Sequence, residues 1–163
     1  MDYFARNRAH LEPWEPARPP GFYETTFWHE RLAMSRREAQ ECRSLRFFLR
    51  AKAEPERLVG CVNLSEIIRG CFLSSLLGYS LDEALVGQGY MHEALSAALP
   101  VAFDHLRLHR IAANYQPSNE RSGRLLRRLG FVVEGYAQDY LFIDGAWRDH
   151  VLTALVRPGI EPG

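Results

Sequence analysis

Three segments in the first half of the chain have the composition of β-strands. They cover residues 43–52, 58–67 and 71–81, and each contains a run of mostly apolar side chains. A charged turn at 54–57 separates the first two segments, and Gly70 comes just before the third. Short strands divided by turn residues are typical of an antiparallel meander. The pattern therefore predicts a sheet in the middle of the chain.

Two segments after this sheet have helical spacing. In residues 90–106 the apolar side chains form one stripe, made of Met91, Ala94, Leu95, Ala98, Ala102 and Leu106. Pro100 lies within this segment and is expected to kink the helix or to force a local repair. A second helix is predicted to start at Ser118 or Asn119 and to stop at Gly130, because it begins with capping residues and has arginines in its last turn. The stretch between the two helices is a short predicted strand.

Further elements are predicted toward both ends of the chain. Residues 1–11 are typical of the end of a helix, and the prolines between 13 and 20 exclude a helix interior or a central strand there. Residues 22–43 are rich in helix formers. Residues 131–156 predict two strands that meet at a turn formed by Asp144-Gly145.

The length and composition indicate one globular domain. A chain of 163 residues is in the usual range of a single domain, and 47% apolar with 25% charged residues is ordinary for a soluble protein. No apolar run reaches the roughly 18–20 residues of a membrane helix, and the first residues lack the apolar core of a signal peptide. We therefore predict a single domain over 1–163 in the cytoplasm, with 157–163 as a loose tail.

Charge and cysteine content argue against several classes of function. Basic and acidic residues number 20 each and give a formal net charge of zero, whereas nucleic-acid binders usually carry a basic excess. Cys42, Cys61 and Cys71 form no C-x-x-C pair, and the histidines form no H-E-x-x-H motif. We expect reduced thiols, no metal site, and no direct binding to nucleic acid or to a membrane.

A glycine-containing loop before the first of these helices carries the clearest chemical signal. Its sequence, Gly87-Gln88-Gly89-Tyr90-Met91, lets backbone amides approach an anion at a helix N-terminus, as in a pyrophosphate site. The lysine of a Walker loop and the third glycine of a Rossmann fingerprint are missing. An ordinary strand-to-helix turn is the alternative interpretation when the loop is considered alone.

The order of segments and motifs resembles the GNAT superfamily of acyl-CoA-dependent N-acetyltransferases. The strands, the glycine loop and its helix are followed by Asn-Tyr-Gln-Pro-Ser-Asn at 114–119 and by Arg-Leu-Gly-Phe at 128–131. The N-x-x-S pattern that ends at Ser122 and the segment 133–155 are similar to the RimJ/RimL type, the ribosomal-protein-alanine N-acetyltransferases. Residues 7–16 are similar to that type as well, so the resemblance covers nearly the whole chain.

The resemblance implies an α/β fold of the α+β type, in which helices flank a central mixed sheet that is mostly antiparallel. The sheet is expected to separate where acetyl-CoA inserts. The implied reaction transfers an acetyl group from acetyl-CoA to the N-terminal amine, on alanine or serine, of a protein that is expected to be ribosomal. No metal is implied, and a homodimer is left open. Family members begin with one more strand, which is expected to be absent here because this chain starts inside their first helix.

Most of the predicted site residues follow from the resemblance. The backbone of Tyr79, Ser80 and Leu81 is expected to hold the pantetheine arm, and the glycine loop is expected to hold the pyrophosphate. Asn119 is expected to contact the cofactor, with a helix N-cap as the alternative role. Ser122 is expected to donate to the departing thiolate, with a helix-cap or first-turn serine as the alternative.

The sequence gives several candidates for the carboxylate that attracts and deprotonates the acceptor ammonium. Many relatives carry Glu and Tyr where this chain has Asn114 and Leu126, so those two roles do not transfer. Glu15, Asp139 and Asp149 are the candidate carboxylates, and Glu15 is the one expected to lie nearest the incoming ammonium. A weak base suffices, because an α-amino group with a pKa of about 8 is partly neutral in the cell.

Two other classes of function stay open at this point. One is an acetyltransferase for a small amine, an antibiotic or an aminoacyl-tRNA. The other is a catalytically silent module that binds CoA. Acetyl transfer to a panel of peptides, free amines and charged tRNA would separate the three hypotheses.

Overall fold

A computed structural model describes residues 1–162 and shows a six-stranded sheet with helices on both faces. The helices are α1 (Asp2–Arg6), α2 (Arg8–Leu11), α3 (Thr25–Gln40), α4 (Tyr90–Pro100) and α5 (Glu120–Arg128). The strands are β1 (Leu45–Arg50), β2 (Leu58–Ile68), β3 (Ser74–Leu81), β4 (Arg110–Ala112), β5 (Val132–Ile143) and β6 (Ala146–Val156). Short 3-10 helices at Glu12–Trp14 and Glu83–Leu85 and a π-helical turn at Val101–His105 complete the described elements. The predicted α/β class is confirmed.

The sheet is mixed, and within residues 1–162 its one parallel pair lies at the centre. The strand order is β1-β2-β3-β4-β6-β5, and all neighbouring strands are antiparallel except β3 and β4. Ser74–Leu76 pair with Arg110–Ala112, and the pairing stops there although β3 continues to Leu81. Beyond β4 the chain follows β6, where the Ala113 N–H donates to the carbonyl of Thr153. The two central strands therefore separate, and we call the space between them the cleft.

The main apolar core lies between one face of the sheet and helices α4 and α5. Alternate residues of a strand point to the same face, so Leu64 of β2 and Leu77 of β3 pack with Leu95 of α4 and Leu126 of α5. Leu64, Leu95 and Leu126 are at most 1% exposed. This packing fixes both helices against the strands that border the cleft.

The N-terminal helices cover the opposite face of β1 and β2. Phe4 stacks on Trp28 with ring centroids 4.8 Å apart, and Phe22 meets both rings edge-on. The Arg18 guanidinium lies 4.8 Å from the centroid of the Phe22 ring. These contacts join α1 to α3 and hold the proline-rich segment between them in one position.

Pro100 alters its helix as the sequence predicts. Helix α4 ends at Pro100, and the chain continues as the π-helical turn, in which the Leu106 N–H donates to the carbonyl of Val101. Proline supplies no N–H to the helical ladder, and the wider turn that follows accommodates the change.

The predicted ends of α5 and the predicted hairpin turn are confirmed. Asn119 is the N-cap of α5, and Gly130 follows its last turn with a φ of +89°. Strands β5 and β6 are joined by Asp144 and Gly145, whose φ angles are +49° and +73°. Positive φ at both positions is the conformation of a type I′ turn, for which Asp-Gly is a preferred sequence.

The predicted loose tail is attached to the body of the protein at its start. The Arg157 N–H donates to the carbonyl of His109, and Ile160 packs against the main core. An apolar side chain next to an open part of the core gains from burial, which composition alone did not reveal. Gly163, the last residue of that tail, lies outside the described residues.

Two kinds of feature are absent from residues 1–162. No helix there is long and apolar enough to cross a membrane. No group of three or more His, Cys, Asp or Glu side chains is arranged there to hold a metal ion. The thiols of Cys42 and Cys71 are exposed, and that of Cys61 is buried.

Candidate active site

The cleft exposes the backbone groups of one edge of β3. The Asp82 N–H donates to the carbonyl of Val59, and Ser80, two residues before Asp82, directs its backbone groups to β2 as well. The N–H and C=O groups of Tyr79 and Leu81 therefore point the other way, into the cleft. An extended chain that alternates donors and acceptors, as a pantetheine arm does, can pair with them like an added strand. Ser80 was also predicted to hold the pantetheine arm through its backbone. It cannot do so, because its N–H and C=O groups face β2.

The glycine loop forms an open cradle at the start of α4. Gly87 and Gly89 have φ angles of +82° and +90°, which side chains rarely adopt. Outside the adjoining residues, no heavy atom lies within 4 Å of an added Cβ at either position. Gly89 is the N-cap and provides no side-chain cap, so the first N–H groups of α4 lack an intrahelical partner. These bare N–H groups and the helix dipole are suited to a pyrophosphate.

Side chains of the loop are engaged within the protein itself. The Gln88 Nε2 donates to the carbonyl of Ala84 at 2.7 Å. Met91 is 7% exposed and belongs to the main core, whereas Tyr90 is 44% exposed at the helix start. Only the backbone N–H of Met91 can therefore serve the predicted contact, because its side chain packs among the core residues.

Ser122 faces a residue of β3 instead of capping its own helix. Its Oγ lies 2.5 Å from the Oη of Tyr79, the one hydrogen-bond partner this hydroxyl has in residues 1–162. The capping position is taken by Asn119, whose Oδ1 accepts a hydrogen bond from the Ser122 N–H at 3.2 Å. The N-cap alternative for Asn119 is thus confirmed, and Ser122 lies in the first turn of α5 without capping it.

Close packing brings this part of α5 to the sheet. A Cβ at Gly123 would lie 2.8 Å from ring atoms of Tyr115. Tyr115 is itself held in an isolated antiparallel bridge with Val151 of β6. Glycine is therefore required at position 123, because any side chain there would collide with the Tyr115 ring. The absence of a side chain lets α5 pack closely against the sheet, which places Ser122 beside Tyr79.

Burial controls the ionisation of Tyr79 of β3 and of Cys61 of β2, which lie on opposite faces of the sheet. It raises the pKa of the Tyr79 phenol to about 12, against the opposing effect of the Ser122 hydrogen bond. Tyr79 therefore keeps its proton at neutral pH and can donate it to a hydrogen bond. Burial also raises the pKa of the Cys61 thiol to about 11, so this thiol stays protonated and is a poor nucleophile.

Glu15 lies toward the opposite face of β3 and is already paired. The Arg18 Nη2 donates to the Glu15 Oε2 at 3.2 Å, and the Glu15 side chain is 31% exposed. On that face the Tyr3 Oη donates to the Ser80 Oγ at 3.0 Å. The Arg18 Nη1 also donates to the carbonyl of Phe4, which packs with Tyr3 in the apolar cluster on that face. The structure thus brings Ser122 and Tyr79 together, and leaves Glu15 across the strand from them.

Comparison with known proteins decides what kind of cleft this is. The model of the acetyltransferase (GNAT) domain family matches residues 2–132. The chain belongs to the GNAT acetyltransferase family. It is 47% identical over 162 residues to the ribosomal protein uS5-alanine N-acetyltransferase of Escherichia coli (strain K12), a match that covers 99% of this chain and 83% of that protein.

Two solved structures show the same fold as this GNAT enzyme. The ribosomal-protein-S5-alanine acetyltransferase from Vibrio fischeri is 40% identical with a TM-score of 0.95, over 99% of this chain and 87% of that chain. RimJ from Mycobacterium smegmatis, solved in complex with CoA-disulfide, is 33% identical with a TM-score of 0.86, over 95% and 74% of the two chains. The chain is therefore an acyltransferase that takes its acetyl group from acetyl-CoA, and the silent CoA-binding module is set aside.

Two other carboxylates predicted as candidates in this GNAT enzyme support the β5–β6 hairpin. Asp149 accepts hydrogen bonds from the Tyr136 Oη at 2.5 Å and from the Asp139 N–H at 2.9 Å. Both contacts stabilise the irregular part of β5 between Ala137 and Leu141. Asp139 itself has a φ of +45° within that irregularity. Both residues therefore have a structural use in the hairpin.

Anchors for the glycine loop come from the N-terminal helices, and sequence reasoning missed them. The Arg6 Nε and Nη2 donate to the Asp82 Oδ2 at 2.9 and 2.8 Å. The Asn7 Oδ1 accepts from the Glu83 N–H at 2.9 Å. Asp82 is 3% exposed and also accepts from the Ala84 N–H. These contacts fix the backbone that leads into the loop, and no local sequence signal connects residues that lie 76 positions apart.

Proposed function

We propose that this GNAT enzyme transfers the acetyl group of acetyl-CoA to the α-amino group of alanine or serine at a protein N-terminus, with ribosomal protein uS5 as the acceptor. The observation that carries the proposal is 47% identity, over nearly the full chain, to an enzyme named for that acceptor. In the reaction the amine nitrogen attacks the acetyl carbon, the carbon–nitrogen bond forms, and the carbon–sulfur bond breaks. The protein has to position the two reactants and to stabilise the charge that develops.

The donor side of the reaction is assigned to the cleft and the glycine loop. The backbone groups of Tyr79 and Leu81 would hold the pantetheine arm, and the N–H groups that follow Gly89 would hold the pyrophosphate. Ser122 would donate a hydrogen bond to the sulfur as it departs. Asn119 would contribute by fixing the first turn of α5, since its side chain caps that helix.

The acceptor side is assigned to the opposite face of the sheet. An open groove of about 380 Å³ is lined there by residues that include Leu76, Ala112 and Asn114, and it begins where the central strands separate. Phe72 and Tyr140, which line this groove, are 52% and 37% exposed. An open groove with exposed aromatic side chains suits an extended peptide, whereas a small amine is better held in an enclosed pocket. Glu15, on this face, would attract the ammonium group.

Location and partners follow from the same acceptor. We place the enzyme in the cytoplasm, where ribosomal proteins are synthesised. The zero net charge supports recognition of the protein acceptor without direct binding to nucleic acid or to a membrane. A homodimer is part of the proposal, and the mass of the enzyme in solution tests it.

Acetyl transfer measured by mass spectrometry tests the proposed function. The substrates are the N-terminal peptide of uS5 beginning with alanine, the same peptide beginning with serine, and the same peptide with its N-terminus blocked. A free polyamine and a charged tRNA complete the panel. We expect one acetyl group on each unblocked peptide, at the α-amine, and none on the blocked peptide. Equal activity on the polyamine or the tRNA would overturn the proposal in favour of a small-amine or aminoacyl-tRNA acceptor.

A further inference from the structure

The side chain of Tyr79 occupies a place that its backbone role in the cleft does not require. It leaves β3 on the side of α5, and its Oη lies 2.5 Å from the Ser122 Oγ. A strand that only offered backbone groups to the pantetheine arm would need no hydroxyl on that side. The contact therefore calls for an explanation of its own.

Only one hydrogen atom can lie between the Tyr79 Oη and the Ser122 Oγ. Whether Tyr79 or Ser122 supplies it decides whether the Ser122 hydroxyl is free to donate to another group. A phenol is more acidic than an aliphatic alcohol, so Tyr79 is the better donor of the pair. When Tyr79 donates, the hydrogen of Ser122 must point elsewhere. No acceptor for it is present among residues 1–162, and Tyr79, its partner, lies on the part of β3 that borders the cleft.

We propose that Tyr79 is a positioning residue, whose phenol donates to the Ser122 Oγ and thereby directs the Ser122 hydrogen into the cleft, toward the thioester sulfur. The inference rests on the proposed role of Ser122. As the carbon–sulfur bond breaks, the electron pair leaves with the sulfur, and the Ser122 O–H donates a hydrogen bond to that anion. The excess proton of the amine passes to water, and the thiolate takes a proton from water after release. Neither hydroxyl is consumed.

A measurement without any acceptor tests the proposal directly. The pKa of the thiol of bound CoA is read from the ultraviolet absorbance of the thiolate as the pH is raised. A hydrogen bond from Ser122 stabilises the thiolate, so the bound thiol should have a lower pKa than the thiol of free CoA titrated in the same way. Tyr79→Phe should reduce the acidity of the bound thiol about fivefold, the effect of one ordinary hydrogen bond, with little change in the affinity for CoA.

A second substitution and a matched control separate positioning from packing. In the Ser122→Ala background, Tyr79→Phe should have no further effect on the thiol, because Tyr79 acts through Ser122. Tyr115→Phe removes a phenol hydroxyl from a neighbouring ring, and that hydroxyl makes no hydrogen bond within residues 1–162. It should leave the thiol pKa unchanged. Replacing Tyr79 with 3-fluorotyrosine, a stronger donor of similar shape, should make the thiol more acidic than in the wild type.

Several outcomes would overturn the role of Tyr79. These are an unchanged thiol pKa in Tyr79→Phe, an effect of equal size in the Ser122→Ala background, or no response to 3-fluorotyrosine. In single-turnover acetylation of the peptide, Tyr79→Phe should lower the rate about fivefold and leave the dependence on acetyl-CoA concentration unchanged. If the wild type acetylates none of the peptides, the proposed function fails, and the thiol measurement still decides the role of Tyr79.

Discussion

The Gln116 Nε2 donates a hydrogen bond of 2.9 Å to the carbonyl of Pro13. This bond joins the proline-rich segment after α2 to the connection that runs from β4 into α5. Glu15 follows Pro13 by two residues, and Ser122 lies in the first turn of α5. The Gln116 side chain, which is 9% exposed, therefore links the Glu15 side of the proposed site directly to its Ser122 side.

Glu15→Gln should raise the KM for a peptide beginning with alanine about threefold. The effect is modest because the Glu15 carboxylate is partly exposed and shares its charge with Arg18. The KM for acetyl-CoA should change little, since the pyrophosphate cradle lies elsewhere. Steady-state kinetics with each substrate varied in turn provide the measurement.

Glu12→Gln is the matched control for Glu15. Glu12 is also paired with an arginine, Arg8, and its side chain is 53% exposed. This substitution should leave both KM values unchanged. Equal effects of the two substitutions on the peptide KM would show that general charge, and not the position of Glu15, attracts the acceptor.

Acetyl-CoA should stabilise the folded enzyme through the glycine loop. At about 100 times its Kd, a ligand adds roughly 2.7 kcal/mol to the free energy of unfolding, which is a rise in Tm of roughly 5–10 °C for a chain of this size. Gly89→Ala should abolish that rise, because its Cβ would stand where the pyrophosphate approaches the helix. Thermal unfolding with and without acetyl-CoA measures both effects.

Gly70→Ala serves as the control for backbone strain at Gly89. Gly70 has a φ of +68°, and an added Cβ there also meets nothing within 4 Å. Both substitutions should therefore lower the Tm of the free enzyme by similar amounts. Only Gly70→Ala should keep the rise with acetyl-CoA, and a lost rise in both variants would argue against a pyrophosphate at the loop.

Ser122→Ala should lower turnover by about one to two orders of magnitude, the usual range for loss of a group that assists a leaving atom. The affinity for acetyl-CoA should hardly change, because the cap on α5 is supplied by Asn119 and stays in place. Ser118→Ala, which changes an exposed serine just before α5, should have no effect. A fall in affinity with unchanged turnover would make Ser122 a binding residue only.

Local signals account for the parts of the fold that the sequence predicts well. The Asp144-Gly145 turn requires positive φ at two adjacent residues, and few other dipeptides provide it. The N-cap at Asn119 and the break after α5 at Gly130 are likewise set by neighbouring residues. In each case the residue type that permits the backbone conformation is found at that position itself or next to it.

The site depends on contacts that local signals do not contain. The strand position of Tyr79 is predictable, but its hydrogen bond to Ser122 joins residues that are 43 positions apart. The contact depends on how closely α5 approaches the sheet, which Gly123 and Tyr115 decide. Strand register decides that the backbone groups of Ser80 face β2 and not the cleft. A shift of one residue would turn the N–H and C=O groups of Ser80 toward β4 and those of Tyr79 and Leu81 toward β2.

Asp82→Asn tests how far the N-terminal helices support the glycine loop. The substitution keeps the shape of the side chain and removes the charge that pairs with Arg6. We expect a loss of about 2 kcal/mol in the free energy of unfolding at neutral pH, less than for a fully buried pair because a quarter of the Arg6 side chain is exposed. Glu83→Gln, which removes the same charge from the exposed neighbouring residue, should change stability little.

The pH dependence of this loss identifies the ion pair as its cause. Burial alone would raise the pKa of Asp82, but its hydrogen bonds with Arg6, Ala84 and Arg57 outweigh burial and lower it. A carboxyl with a lowered pKa in the folded state contributes stability above its unfolded pKa of about 3.9, and this contribution is lost as the pH falls through the folded value. The wild type and Asp82→Asn should therefore differ fully at pH 7, and the difference should shrink below about pH 4. Denaturant unfolding at several pH values measures it, and a difference that stays constant down to the lowest pH would mean that packing, and not charge, anchors the loop.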